Sequence, residues 1–256
     1  MKRAEIKQKC ANFFKKIAKF IENILYPPDI KCMFCGADVS DFESKPYCED
    51  CEKTIEFNNK NRCQICSEPI DNEAVICDYC QMHKRNFKKA FCPFVYSGNV
   101  RRAILGYKDS NRQYLAKDFA RFIAAEITDS GVHIDHITYV PLTNKKKRKR
   151  GFDQAELLAV EVGKILGLEV EKLFVKVKDG KAQKFSNIKE RQENMIGLYQ
   201  RTNVKLKRTD TVLIIDDIIT TGATVNYCAG LCCKRVKTVY VAAIARNKLR
   251  DKKEKF

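Results

Sequence analysis

Nowhere in the chain do apolar residues run uninterrupted for the roughly 18 to 20 positions that a membrane-spanning helix needs. No membrane span is therefore expected. No strand-like run is followed by GxxxxGK[ST], which excludes a Walker phosphate loop. Nor is there a low-complexity linker or a basic-then-apolar leader. The first 28 residues, "MKRAEIKQKCANFFKKIAKFIENILYPP", carry Ile6, Cys10, Phe13, Ile17, Ile21 and Ile24 at helical spacing, with Lys15, Lys16 and Lys19 among them. That pattern predicts an amphipathic helix over 1–28, not a continuous apolar leader. Such a stripe more often packs on a neighbouring domain than on a membrane surface. Without an export signal the expected setting is the reducing cytoplasm, where thirteen cysteines need an explanation other than disulfides.

What is present is basic and globular. Length of 256 residues allows one ordinary domain and a smaller one, and 45% hydrophobic residues suffice for a real core. Lys and Arg number 49 against 32 Asp and Glu, a formal charge of +17. A field of that sign favours nucleic acid, anionic membrane or phosphorylated small molecules without choosing among them.

Eight of the cysteines form four CxxC pairs, "CMFC", "CEDC", "CQIC" and "CDYC". Each pair offers two thiolates from one tight turn, and two pairs complete the tetrahedral shell of structural zinc. Sequential pairing would give one site from Cys32, Cys35, Cys48 and Cys51, and a second from Cys63, Cys66, Cys77 and Cys80. A cross-braced pairing satisfies the spacing equally. With every position filled there is no room for a reactive water, so two structural zinc ions are expected. Thioredoxin-like chemistry needs one such motif at a strand–helix junction, not four in succession. Cys228 and Cys232 lie one helical turn apart beside Val225, Ala229 and Val236 and read as core.

Beyond residue 88 the texture changes, predicting domains over 1–28, 29–88 and 89–256. "AFCPFVYS", "HIDHITYV", "LEVEKLFVKV", "VLIID" and "TVYVAAIA" read as strands. Leu115, Phe119, Phe122, Ile123 and Ile127 mark one helix; "GFDQAELLAVEVGKILG" marks another, with Asp153 as its cap, Glu156 completing a capping box, and Gly167 as its stop. "ATVNYCAGLCCKRV" is a third. Alternating strands and helices predict a parallel sheet with flanking helices. Ligands of such sheets bind beyond the carboxyl ends of the strands. Three polar features fall there: the Asp216-Asp217 turn, the loop "PLTNKKKRKRGFDQ", and the polar stretch "KVKDGKAQKFSNIKERQEN".

In "VLIIDDIITTGAT" a buried strand runs out into two carboxylates and then a small-residue turn from Ile218 to Thr224. The helix that follows begins with amide N–H groups lacking internal partners, a natural anion site. Gly222 permits close approach, and Thr220, Thr221 and Thr224 add hydroxyls. A ligand with a ribose diol and a phosphate satisfies both halves. Two acids that merely cap a helix would not require the TTGAT that follows.

This segment resembles the 5-phosphoribosyl 1-pyrophosphate signature of type I phosphoribosyltransferases. By that resemblance Asp216 and Asp217 are catalytic and hold the ribose hydroxyls, while Ile218, Ile219, Thr220, Thr221, Gly222, Ala223 and Thr224 form the loop for the 5-phosphate. "VPLTNKKKRKRGFDQAELLA", "ERQENMIGLY" and "AILGYKDSNRQYLA" are similar to segments of the ComF family, in the family's order and over nearly the whole chain. The family's usual Asn before Gln is Asp153 here. The resemblance implies a type I phosphoribosyltransferase-like domain behind a small four-cysteine zinc-ribbon-type segment, and a role in competence and natural transformation.

Transfer from the activated sugar requires the leaving pyrophosphate to be positioned and neutralised, with Mg2+ bridging its oxygens. Arg150 and Gly151 are expected to meet pyrophosphate. Lys176, Lys178, Lys181 and Lys184 lie on a flap-like loop, with Arg191 and Asn194 as its anchors. Little chain follows the last strand to recognise an acceptor, so the zinc segment is the candidate to cover the site. A second reading is a nucleic-acid-binding protein that keeps the sugar site as a sensor or relic. Lys145, Lys146, Lys147, Arg148, Lys149 and Arg150 are consecutive, with Phe152 beside them and Tyr107 and Lys108 on another edge loop; cations that track phosphates and an aromatic that stacks a base suit single-stranded DNA. DNA-uptake proteins would then be partners. A purine-sensing repressor ranks last, because no helix-turn-helix pattern stands beside the domain.

Overall fold

A computed structural model describes residues 31–39, 45–70, 73–109, 112–178 and 197–248. The helix expected over 1–28 and the flap residues Lys181, Lys184, Arg191 and Asn194 lie outside them. In chain order the elements are α1 (Glu49–Thr54), α2 (Asp78–Met82), β1 (Lys89–Phe91), β2 (Phe94–Val95), α3 (Gly98–Asp109), α4 (Leu115–Asp129), β3 (His136–Tyr139), α5 (Asn144–Arg150), α6 (Gln154–Leu166), β4 (Phe174–Lys176), β5 (Tyr199–Arg201), β6 (Thr211–Ile219), α7 (Ala223–Cys232) and β7 (Thr238–Arg246).

The main sheet is parallel, in the order β1-β7-β6-β3, with β2 extending the pairing of β1 along β7. Val212, Leu213, Ile214 and Ile215 have no exposed surface, the state of a central strand covered on both faces. Helix α4 buries Leu115, Phe119, Ile123 and Ile127, the stripe that its spacing predicts. Asp153 caps α6, accepting from the Ala155 and Glu156 amides, and Gly167 closes it in the left-handed region at φ 72°.

Three local expectations are corrected. Residues 144–150 are helical: Thr143 caps them and Gly151 ends them at φ 85°. The capping box is half made, because the Glu156 carboxylate pairs with Lys147 instead of turning back to Asp153. "LEVEKLFVKV" does not join the parallel sheet. Val170 makes one parallel bridge to Ile137, and then β4 leaves to pair antiparallel with β5, Phe174 opposite Arg201.

By compactness the chain divides into residues 1–53 and 54–256. The division falls inside the cysteine-rich segment instead of at residue 88, because Cys63, Cys66, Cys80 and Phe87 share one core cluster with Val212, Ile214 and Val241 of the sheet.

Candidate functional site

The metal-ligand geometry is built twice from one pattern. Sulfurs of Cys32, Cys35, Cys48 and Cys51 gather within 4.8 Å of one another, and so do those of Cys63, Cys66, Cys77 and Cys80. Pairing is therefore sequential. Cys35 and Cys48 Sγ stand 3.7 Å apart, and Cys66 and Cys77 Sγ 3.6 Å; a tetrahedral zinc with about 2.3 Å bonds calls for roughly 3.8 Å. Backbone bonds repeat as well. Cys32 N donates to Ala37 O as Cys63 N does to Glu68 O, and Glu52 N donates to Cys48 O as Gln81 N does to Cys77 O. The residue after each first knuckle is left-handed, Gly36 at φ 81° and Ser67 at φ 56°. Serine tolerates the strain there while its hydroxyl donates to Ala90 O at 2.7 Å. Both sites suit a structural zinc ion.

At the carboxyl edge, β6 continues through the two acids to Ile219, which pairs with Arg246. The turn proper is thus only Thr220 to Gly222, shorter than expected. Ile219 and Ala223 are buried, while Ile218 and Thr224 are partly exposed. Asp217 is buried, and its Oδ2 accepts from Gln154 Nε2 at 2.7 Å and pairs with Lys108 Nζ at 2.9 Å. Gln154 Oε1 in turn accepts from Arg150 Nη1 at 2.6 Å. A carboxylate on one side and a guanidinium on the other fix the orientation of that amide. Tyr107 OH donates to Gln154 O at 2.6 Å. Asp153 Oδ2 accepts from Leu142 N at 2.7 Å, tying the chain after Pro141 to α6.

Asp216 stays partly exposed and accepts the Asp217 amide at 2.8 Å. Burial, and then the Asp217 charge, push its carboxyl well above the usual carboxylate range. Gly222 caps α7 at φ 73°, a conformation that a side chain would strain. Thr221 Oγ1 accepts from Ala223 N at 3.3 Å, and Thr220 is exposed.

The site residues expected from sequence are thereby distributed. Asp216, Asp217, Arg150 and the 218–224 turn meet at one edge, with Gly151 ending the helix that carries Arg150. Lys176 leaves toward the β4–β5 ladder, its Nζ 4.9 Å from the Tyr199 ring centre, and Lys178 is exposed. Lys108, expected on a nucleic-acid face, is held by Asp217. Phe152, expected to stack a base, packs on Tyr107 with ring centres 6.0 Å apart. Lys145 to Lys149 are exposed on α5, though Lys147 pairs with Glu156. Tyr107, expected with Lys108 on an edge loop, is buried on α3 instead. Sequence reading missed Gln154 and Arg85. The first borders a motif position already singled out; nothing in the sequence signals the second. A cavity of about 410 Å³ lies elsewhere, lined by Phe57, Arg62, Phe122 and Glu126 among others, and does not communicate with these acids through any of its lining residues.

The double zinc ribbon domain family matches residues 21–93. The chain is 26% identical over 212 residues to competence protein ComFC of Streptococcus pneumoniae, covering 77% of this chain and 90% of that protein. It is 23% identical over 229 residues to competence protein F of Haemophilus influenzae, covering 85% and 97%. DNA utilization protein YhgH of Escherichia coli O157:H7 is 24% identical over 206 residues, covering 78% and 89%. No helix among the described residues is long and apolar enough to cross a membrane.

Proposed function

The chain belongs to the ComF family, and from that premise we propose that it binds 5-phosphoribosyl 1-pyrophosphate at the carboxyl edge of its sheet and transfers the phosphoribosyl group in the service of DNA uptake. One observation carries the reading: the Asp217 carboxylate, its Lys108 and Gln154 partners, and Arg150 converge at the end of β6, the strand that leads through a short turn into α7. Carboxylates accept the ribose hydroxyls, the helix terminus takes the 5-phosphate, and Lys108 and Arg150 lie where a leaving pyrophosphate needs positive charge. In transfer, the bond from ribose C1 to the pyrophosphate oxygen breaks, its electron pair leaving with pyrophosphate, and the acceptor adds to C1 as it loses a proton. Asp216 and Asp217 also give the hard oxygen donors that Mg2+ favours alongside phosphate oxygens, and the ion's charge would offset that of the leaving group.

Calorimetry with phosphoribosyl pyrophosphate, with and without Mg2+, tests the reading. Micromolar-range binding by the wild type and its loss in the Asp216→Ala/Asp217→Ala variant are expected. Binding that survives the double substitution rejects the assignment.

A second activity rests on a different feature. Helix α5 buries none of its side chains, and a helix with six successive cations and no core role suits single-stranded DNA. Alanine at Lys145, Arg148 and Lys149 should reduce the slope of log affinity against log salt by about 2, at roughly 0.7 per phosphate contact. An unchanged slope removes α5 from the interface.

A further inference from the structure

The second four-cysteine ribbon sends one side chain back across the main domain. Arg85, five residues beyond Cys80, is 8% exposed. Its Nη2 donates to Thr221 O at 3.1 Å, and its guanidinium lies 4.3 Å from the Tyr79 ring centre, a face-on cation–aromatic contact. Its Nη1 stands 3.4 Å from the point where a Cβ on Gly222 would begin, at the N-cap of α7. Neither Nη1 nor Nε has a hydrogen-bond partner, although both are buried. A buried guanidinium with two unspent donors costs free energy until something accepts from them. The next residue fastens the same helix: Asn86 N donates to Asn226 Oδ1 at 2.8 Å, and Asn86 Nδ2 to Asn226 O at 3.1 Å. Thr221 and Asn226 are thus each held from the ribbon side, with Gly222 between them.

We propose that Arg85 is a ligand-binding residue of the phosphate loop, a guanidinium that the metal-folded ribbon delivers to the mouth of α7, where it donates to the same anion as the loop amides. The proposal rests on the sugar-phosphate reading above and extends it. The terminal phosphate is gripped by backbone dipoles from the sheet domain and by a charged fork from the ribbon, and a guanidinium suits phosphate through paired N–H donors. The ribbon is then part of the binding site and not only a stabilising appendage. Cys80 is within hydrogen-bonding reach of the same group, so the competing occupant of the free donors is a metal-bound thiolate.

The two occupants separate by experiment on the full, zinc-loaded chain. Ribose 5-phosphate and magnesium pyrophosphate are titrated separately into wild type, Arg85→Gln and Arg85→Lys, with zinc measured by atomic absorption. Arg85→Gln should weaken ribose 5-phosphate about tenfold to a hundredfold, the worth of a charge-assisted hydrogen bond. Magnesium pyrophosphate should stay within about twofold of wild type on the same reasoning, because it binds the other end of the site. Arg85→Lys should show a smaller loss, and zinc should stay at wild-type content. Unchanged ribose 5-phosphate affinity in Arg85→Gln overturns the proposal, as does a parallel loss for both ligands. If Arg85→Gln does not fold or sheds zinc, Arg85→Lys decides, and wild-type affinity there overturns it. A wild type that binds neither ligand sinks the sugar-phosphate reading itself; a wild type that binds, with variants to match, sinks only Arg85.

Discussion

Arg246 Nε donates to the carbonyl oxygen of Cys66 at 3.0 Å, joining residues 180 positions apart in the chain. The guanidinium has no exposed surface. Its Nη1 donates to Ile219 O at 3.0 Å and to Asn247 O at 3.1 Å, and its Nη2 pairs with Glu68 at 2.5 Å. One side chain at the end of β7 therefore binds the second ribbon to the end of β6, directly before the turn at Thr220. Replacing it by methionine keeps much of the volume but strands the buried Glu68 carboxylate. A loss of about 3 to 5 kcal/mol in urea unfolding is expected. Adding Glu68→Leu should recover a large part. A double variant no more stable than the single would show that the charge pair is not the source of the loss.

The two four-cysteine groups should differ in what their loss does. Cys63 and Cys66 lie in the sheet's core, and Ala90 N donates to Ile65 O at 2.8 Å, whereas Cys32 to Cys51 fall in the smaller compact unit. Metal-dependent folding of each ribbon therefore predicts unequal variants. Cys35→Ser should halve the zinc content and leave the main thermal transition within about 2 °C, the scale of a surface change. Cys66→Ser should halve it too, yet lower that transition by about 8 °C or more, since several kcal/mol of core contacts are involved. Equal shifts in differential scanning calorimetry would refute the asymmetry.

Asp216 is held in a form that folding disfavours. Its carboxyl is raised above the ordinary 3.8 by burial and by Asp217. The folded state then binds the proton more tightly than the unfolded one, so the stability contributed is complete below about pH 3.8 and is lost as pH rises through the higher folded value. Wherever the group is ionised, its charge is a cost to folding. Asp216→Asn should stabilise the protein by about 0.5 to 2 kcal/mol while removing affinity for the sugar phosphate. A variant both less stable and still binding contradicts the role given to this residue.

Local chemistry made the strands, α4, α6 and the eight metal-ligand cysteines readable in sequence, though not how the CxxC pairs combine, because each is set by periodicity, a cap or ligand spacing within a few residues. Val212 to Ile215 could only be a doubly covered strand, and Gly167 could only end its helix. What escaped depends on distant partners. Lysine 108 looked like an exposed cation until Asp217, far along the chain, claimed it. Likewise β4 carries strand-forming residues, but only its partner β5 decides that it leaves the parallel sheet. The basic run was readable as charge and not as helix, since its Thr143 and Gly151 termini outweigh the mutual repulsion of six cations. Arg85 was illegible for the same reason: nothing near it in sequence signals a turn at Thr221.

A last consequence concerns pH at the opposite edge of the sheet. His136, at the start of β3 and paired in register with Val212, bonds through Nδ1 to Glu171 at 2.6 Å and through Nε2 to Asp210 at 3.0 Å. Burial pulls its pKa down, but the two carboxylates outweigh that and hold it above the usual 6.5. Asp210 is held below its usual 3.8, first by the Lys207 amide and then, against desolvation, by His136. Signs follow from linkage. The histidine's contribution is whole below about pH 6.5 and is lost as pH rises through the higher folded value. The aspartate's contribution is present above about pH 3.8 and is lost as pH falls through the lower one. Both therefore operate together in the mildly acidic range. Subtracting a His136→Gln stability curve from that of the wild type isolates the histidine from the Asp216 slope. The difference should shrink steadily from pH 6.5 upward while sugar-phosphate affinity stays the same in both proteins, because the clamp sits at the amino ends of the strands. A difference independent of pH would mean that His136 carries no charge in the clamp.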